Sequence, residues 1–126
     1  TSFNYTCPSL NLAQIKASFG GQTWFYHFTK QRDGDLGAKM GSYHGAELPY
    51  VFNTHDDWLP TSTEDRVLTD SIMQYWVNFT RTGNPNSSGL PEWKAYQKYS
   101  DPVQFLGIEI KSQLHPSAKL CRLFES

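Results

Sequence analysis

Residues 64–82, EDRVLTDSIMQYWVNFTRT, carry the periodicity of a long amphipathic helix, which needs an apolar surface to pack against. Thr61, Ser62 and Thr63 precede it as candidate N-caps. Gly83 follows as a stop signal. The apolar positions at helical spacing are Leu68, Ile72, Tyr75, Trp76 and Phe79. The rest of the chain must therefore supply a sheet or further helices beside this face.

The remaining segments predict a mixed helix and strand protein. PSLNLAQIKASF (8–19) reads as a helix with Leu12, Ile15 and Phe19 on one face and Gly20-Gly21 at its end. The elements after it are a buried strand at 23–29, polar loops at 30–41 and 53–66, a strand at 102–110 that Gly107 interrupts, and a short closing helix at 116–124. Two strands cannot hide both of their faces, so this α/β segment is expected to need more sheet beside it.

Composition excludes several function classes. The chain has 126 residues, 38% of them hydrophobic and 15% aromatic, and its formal net charge is −1. These values predict a packed core, and without a basic block they do not indicate a nucleic-acid partner. No apolar run approaches the roughly 18 residues that span a bilayer. The chain does not begin with Met, so it is expected to be processed, cleaved or one part of a longer protein.

Two cysteines, Cys7 and Cys121, lie near opposite ends of the sequence. In a cytosolic protein they would be unrelated thiols, whereas in an exported protein they could form one bridge around almost the whole chain. Three Asn-x-Ser/Thr sequons, at Asn4, Asn78 and Asn86, favour export. We therefore expect a secreted or extracytoplasmic protein.

The segment GSYHGAELPYVF (41–52) places His44 between two glycines. Imidazole is suited to proton transfer near neutral pH, and Gly45 allows a sharp bend beside it. Three interpretations remain open from these residues: a structural histidine, a metal ligand or a general base. Ser42 is not the nucleophile of a G-x-S-x-G elbow, and that motif occurs nowhere in the 126 residues. If His44 is a base, its nucleophile is not evident in this sequence.

Two more histidines need separate interpretations. His27 lies inside an aromatic strand, where a packed, hydrogen-bonded histidine is the usual case. His55, Asp56 and Asp57 form a cluster that could hold a metal. However, carboxylates in a polar loop are usually solvated, and no cysteine or second histidine supports zinc. We predict no metal site.

Five ordered blocks resemble the C-terminal part of the type-B carboxylesterases, the family that includes the cholinesterases. The blocks are YTCPSLNLAQ, TWFYHF, MGSYHGAELPYVF, IMQYWVNFTRTGNPN and LPEWKAY, and they cover nearly the whole chain. In the third block, the family's triad histidine is followed by Gly, a variable residue and Glu. His44 and Glu47 match this pattern.

The resemblance implies an α/β-hydrolase fold, of which residues 1–126 would form a C-terminal fragment and not an independent domain. This fragment would hold late sheet strands, the His44 loop, the long helix, a final strand and a C-terminal helix. The implied activity is carboxylic-ester hydrolysis through an acyl-enzyme, without a cofactor. His44 would be the triad base, and Glu47 would be a buried acid near the site. Cys7 and Cys121 would pair. The nucleophilic serine and the triad acid would lie in a larger N-terminal part, the expected partner.

Ala46 departs from the aromatic residue that vertebrate cholinesterases carry after this glycine, and RDGDLGAKMG replaces their aromatic-rich loop. A small-molecule carboxylic ester is therefore the expected substrate class, with a cholinesterase proper as an alternative. The sequence is also consistent with a non-catalytic adhesion or binding relative and with an independent small binding domain.

Overall fold

A computed structural model describes residues 2–55, 57, 59–97 and 100–123 of the chain. A π-helical turn at Ser2–Thr6 leads into the first α-helix. The elements that follow are α1 (Cys7–Ser18), β1 (Tyr26–Phe28), α2 (Gly34–Met40), α3 (Leu48–Phe52), α4 (Thr63–Thr82), β2 (Pro102–Leu106), β3 (Lys111–Leu114) and α5 (Ala118–Arg122). This mixture is compatible with an α/β segment.

The strands form one sheet in the order β1-β2-β3. Gln104 N–H donates to the Phe25 carbonyl at 2.9 Å, and Thr29 N–H donates to the Leu106 carbonyl at 2.8 Å. Both partners rise along the sequence together, so β1 and β2 are parallel. The short connection between β2 and β3 makes that pair antiparallel, because a parallel pair needs a long crossover.

The chain divides into two compact units. The first comprises Thr1–His27, Trp93–Gln104 and Ser112–Ser126. In this unit α1 contacts α5, and a disulfide joins Cys7 to Cys121. Its buried apolar residues are Leu10, Ala13, Trp93, Tyr96, Val103, Ala118 and Cys121.

The second unit comprises Phe28–Glu92 and Phe105–Lys111, and α3 packs against α4 within it. Ser62 caps α4: its hydroxyl accepts from the Asp65 N–H at 3.1 Å, while the Asp65 carboxylate accepts from the Ser62 N–H at 2.8 Å. Gly83 ends the helix at a φ of 74°. Thr63–Thr82 thus confirms the predicted helix within one residue. Its buried apolar face is narrower than predicted, because Phe79 is exposed and Trp76 is half-buried.

The structure corrects three sequence predictions. The predicted loop at 30–41 contains α2, and a third strand, β3, follows Gly107. The strand predicted at 23–29 is restricted to Tyr26–Phe28 and is half-buried.

The predicted apolar face of α1 is also wrong. Leu12, Ile15 and Phe19 are exposed, whereas Leu10 and Ala13 are buried. The reason lies in tertiary contacts, since the disulfide and α5 cover the side of α1 that carries Leu10 and Ala13.

Candidate functional site

His44 is exposed at the first residue of a turn, residues 44–47, that leads directly into α3. Gly41 and Gly45 flank it at φ values of 59° and 85°, a backbone region that strongly favours glycine. Ala46 N–H donates to the Tyr43 carbonyl at 3.0 Å, and Leu48 N–H donates to the Gly45 carbonyl at 3.1 Å. The turn is therefore fixed by its own backbone, and His44 is exposed on it.

Two side chains tie this segment to its surroundings, one on each side of His44. The Ser42 hydroxyl donates to the Lys30 carbonyl at 3.2 Å. The Tyr50 hydroxyl, in α3, donates to the Asp65 carboxylate at 2.6 Å. Tyr50 is 1% exposed, and its ring packs against Phe28 with centroids 5.0 Å apart. Residues 42–50 are thus held at both ends.

Asp65 is fully buried and is the centre of a charged network. Lys30 Nζ lies 3.1 Å from Oδ1, and Arg32 Nε lies 3.6 Å from Oδ2. Burial alone would raise the pKa of Asp65, but hydrogen bonds from Tyr50, Ser62 and Lys30 outweigh it and lower that pKa to about 2. Burial, with the hydrogen bond to Asp65 and its negative charge, raises the pKa of Tyr50. The pair is therefore a phenol donating to a carboxylate.

Arg32 extends the network toward the loop that precedes α4. Its guanidinium donates to the carbonyls of Pro60 and Leu59 at 2.8 and 2.7 Å. Its Nη1 lies 3.3 Å from His55 Nδ1, which must accept because arginine only donates. His55 Nε2 therefore carries the proton and donates to the Thr69 hydroxyl at 2.7 Å. That hydroxyl donates in turn to the Asp65 carbonyl at 2.7 Å.

Glu47 is half-buried at the end of the turn, three residues after His44. Its carbonyl accepts from the N–H groups of Tyr50 and Val51 at 2.9 and 3.0 Å, which starts α3. Glu47 is thereby placed on the same rigid turn as His44, and its role near the site remains a prediction.

The predicted His27 environment is confirmed, with a partner that the sequence did not indicate. His115 Nε2 lies 3.0 Å from His27 Nδ1. Ser117 N–H donates to His115 Nδ1 at 3.1 Å, so His115 carries its proton on Nε2 and donates it to His27. Burial lowers the pKa of His27 and, with the positive charge that His27 could carry, lowers the pKa of His115 as well. Burial therefore disfavours the protonated form of both rings in the folded chain.

The three sequons lie in different settings. Asn4 is exposed in the π-helical turn, and Asn86 is half-buried in the loop after α4. Asn78 lies within α4, where its Nδ2 donates to the Pro85 carbonyl and the Ser87 hydroxyl, each at 2.9 Å. Attachment of a sugar to that nitrogen would remove at least one of these bonds.

The cluster of His55, Asp56 and Asp57, which was considered as a metal site, falls partly outside the described residues, because Asp56 is not among them. Across residues 2–55, 57, 59–97 and 100–123, no three His, Cys, Asp or Glu side chains lie close enough together to hold a metal ion. In the same part of the chain, no helix has the length and apolar character needed to cross a membrane.

Sequence reasoning identified His44 and Glu47 but missed Lys30, Arg32 and Asp65. From its own stretch of sequence, each of the three would be expected to be a charged residue exposed to solvent. The signal that could have found Asp65 was its position three residues after Ser62, which is the spacing of a capping box.

Comparison with known proteins places the chain in a family. The model of the carboxylesterase family matches residues 1–124. Cocaine esterase of Homo sapiens is 30% identical over 94% of this chain and 22% of its own length. Acetylcholinesterase 1 of Caenorhabditis elegans is 28% identical over 93% and 20%. Pyrethroid hydrolase Ces2e of Rattus norvegicus is 32% identical over 96% and 22%. The chain thus spans about a fifth of the length of these relatives, and it belongs to the carboxylesterase family.

Proposed function

We propose that the chain is the C-terminal part of a serine carboxylic-ester hydrolase and that His44 is its general base. The observation that carries this proposal is the setting of His44. It is an exposed imidazole on a glycine-flanked turn that a buried network holds at both ends. Family membership and the match of His44-Gly45-Ala46-Glu47 to the family's histidine block support the same assignment.

In this proposal the nucleophilic serine and the triad acid belong to a larger N-terminal part of the same enzyme. His44 takes the serine proton as the serine oxygen attacks the ester carbonyl, and the imidazolium returns that proton to the departing alcohol. A water molecule then attacks the acyl-enzyme, with His44 again as base, and the carboxylic acid leaves. The triad acid orients the imidazole, and Glu47 supports the site from the turn.

The proposed substrate class is small carboxylic esters in general. The relatives' names include a cocaine esterase, a pyrethroid hydrolase and an acetylcholinesterase, and so name different substrates. Ala46 presents a small side chain in the turn and offers no aromatic surface to a quaternary ammonium group. We expect the full-length enzyme to hydrolyse p-nitrophenyl esters with a higher kcat/KM than thiocholine esters. A higher kcat/KM with thiocholine esters than with p-nitrophenyl esters would identify a cholinesterase proper.

The disulfide between Cys7 and Cys121 supports a secreted or extracytoplasmic location, because such bonds persist in oxidising compartments. Mass spectrometry of the native protein tests the proposed N-terminal partner. We expect His44 in a species that also contains the serine, either in one chain or in a second chain bound to it. A native species near 14.4 kDa alone would contradict this expectation.

The decisive test is His44→Ala in the full-length enzyme, assayed with p-nitrophenyl butyrate. We expect kcat/KM to fall by about 10²- to 10⁴-fold or more, since removal of a triad base disables the nucleophile. Lys39→Ala is the control: Lys39 is exposed at the end of α2, close to His44 in sequence, and its variant should retain the parent rate. Parent activity in His44→Ala would refute the assignment. Absence of activity in the parent itself would identify a non-catalytic relative.

A further inference from the structure

We propose that Tyr50 and Asp65 are positioning residues that set the place of the His44 turn. This inference rests on the proposed function of His44. Neither residue is expected to touch substrate, and both act through α3 and the turn before it.

Helix α3 spans only Leu48–Phe52. A helix of five residues is not stable by itself, so tertiary contacts must fix its position. Tyr50 is its buried residue, and it has two such contacts: its ring against Phe28 and its hydroxyl on Asp65. The hydroxyl is the directional contact of the two. Because the turn at 44–47 runs directly into α3, the position of Tyr50 sets where the turn ends.

Asp65, which accepts the Tyr50 hydroxyl, is itself held in place. It occupies the third position of the 20-residue helix α4 and closes the capping box with Ser62. Its other oxygen accepts from Tyr50 and pairs with Lys30 at 3.1 Å. The carbonyl of Lys30 accepts from Ser42, two residues before His44. Both ends of the His44 segment are thus connected to the same carboxylate, that of Asp65.

The network around Asp65 is better suited to positioning than to stabilising the fold. A buried ion pair is a poor stabiliser relative to a packed apolar cluster of the same volume, because desolvation offsets its attraction. What a hydrogen bond adds is a fixed distance and direction, and a base must be held to a fraction of an ångström to act. A network of this kind beside an exposed surface turn is therefore suited to orientation.

The test compares two buried tyrosines in the full-length enzyme. Tyr50→Phe removes the hydroxyl on Asp65 and leaves Asp65 paired with Lys30 and Ser62. Tyr75→Phe is the matched control, because Tyr75 is 0% exposed and its hydroxyl donates to the Pro91 carbonyl, away from the His44 segment. Both variants lose one hydroxyl hydrogen bond of a buried tyrosine, so both unfolding midpoints should fall, and that of Tyr50→Phe should fall further because its acceptor is a carboxylate.

Only Tyr50→Phe should lower kcat per folded molecule. We expect a loss of about 10-fold, within the roughly 10²-fold that a misplacement of 1 Å can cost, while KM changes less than twofold. Equal kcat for the two variants would overturn the positioning role. If His44→Ala also retains activity, the proposed function has failed, whereas an inactive His44→Ala with an unaffected Tyr50→Phe rejects the positioning role alone.

A second pair of variants provides an independent check. Ser42→Ala removes the tie on the other side of His44, and Ser71→Ala removes a hydroxyl that donates within α4, to the Val67 carbonyl. We expect Ser42→Ala to lower kcat and to act non-additively with Tyr50→Phe, because both release the same segment. Ser71→Ala should keep the parent kcat. Additive effects of Ser42→Ala and Tyr50→Phe would contradict a shared segment.

Discussion

His27 and His115 are joined by one hydrogen bond, and the geometry around it indicates which ring nitrogen donates and which accepts. A proton added to either ring would face the other ring or the Ser117 N–H, so the folded chain disfavours it. The pKa of each histidine is accordingly lowered by burial. An unfolded histidine titrates near 6.5, so below that pH the unfolded state binds more protons than the folded state. Stability contributed by the pair is therefore present above pH ~6.5 and is lost as the pH falls below it.

The corresponding prediction is acid sensitivity. Between pH 8 and pH 5, the unfolding midpoint of the wild-type protein should fall further than that of His27→Gln/His115→Gln, whose amides do not titrate. Differential scanning fluorimetry across this range measures both midpoints. Gln113→Ala is the control, because Gln113 is exposed in β3 and its amide does not titrate, so this variant should retain the full wild-type acid sensitivity. Identical pH profiles for the wild type and the double variant would refute this assignment.

The sequence predicted some residues of the site and missed others. His44 and Glu47 were found because they lie in one short segment with a family resemblance. Lys30, Arg32 and Asp65 were not, because their charges meet only after α3 and α4 have packed. A buried charge can be recognised in a sequence only through its partners, and Lys30 and Arg32 lie 35 and 33 residues before Asp65.

Among the elements, α2 owes its position to a glycine. An added Cβ at Gly37 would lie 2.0 Å from the Arg32 carbonyl oxygen, and a backbone atom cannot move aside as a flexible side chain can. We predict that Gly37→Ala displaces α2 and lowers the unfolding midpoint, since overpacking typically costs about 1–3 kcal/mol. Thermal unfolding followed by circular dichroism measures the shift.

Gly21→Ala is the matched control for this substitution. A Cβ at Gly21 would meet only the end of the Lys16 side chain, which can rotate away. Its midpoint should remain close to that of the wild type. If Gly37→Ala is equally well tolerated, the close approach to Arg32 does not fix α2.

The contrast between α4 and α2 explains which elements the sequence could predict. Helix α4 has twenty residues, a periodic apolar face, a capping serine and a terminal glycine, so several local signals agree. Helix α2, GDLGAKM, has two glycines and too few residues to show a period. The close approach of its Gly37 to the Arg32 backbone is a tertiary contact that no local pattern shows, so a loop was the reasonable prediction. Strand β3 was missed for a related reason, since KSQL has no apolar alternation and is an edge strand.

For the molecule as a whole, the disulfide is the covalent bond that joins residues far apart in sequence. Cys7 and Cys121 are 114 residues apart, and both belong to the first unit. In the chain-entropy account, closing a loop of this size stabilises the folded state by about 4–5 kcal/mol. We predict that Cys7→Ser/Cys121→Ser unfolds at a markedly lower temperature. Dithiothreitol should shift the wild-type midpoint and leave that of the variant unchanged.

The same bond has a topological consequence. Between Cys7 and Cys121 the disulfide closes the backbone into a ring. A protease that cuts once within this ring, for example in the stretch between α3 and α4, opens the ring without releasing a fragment. Such a nicked molecule differs from the intact one by a single added water, and it separates into two pieces only after its sulfur bridge is reduced.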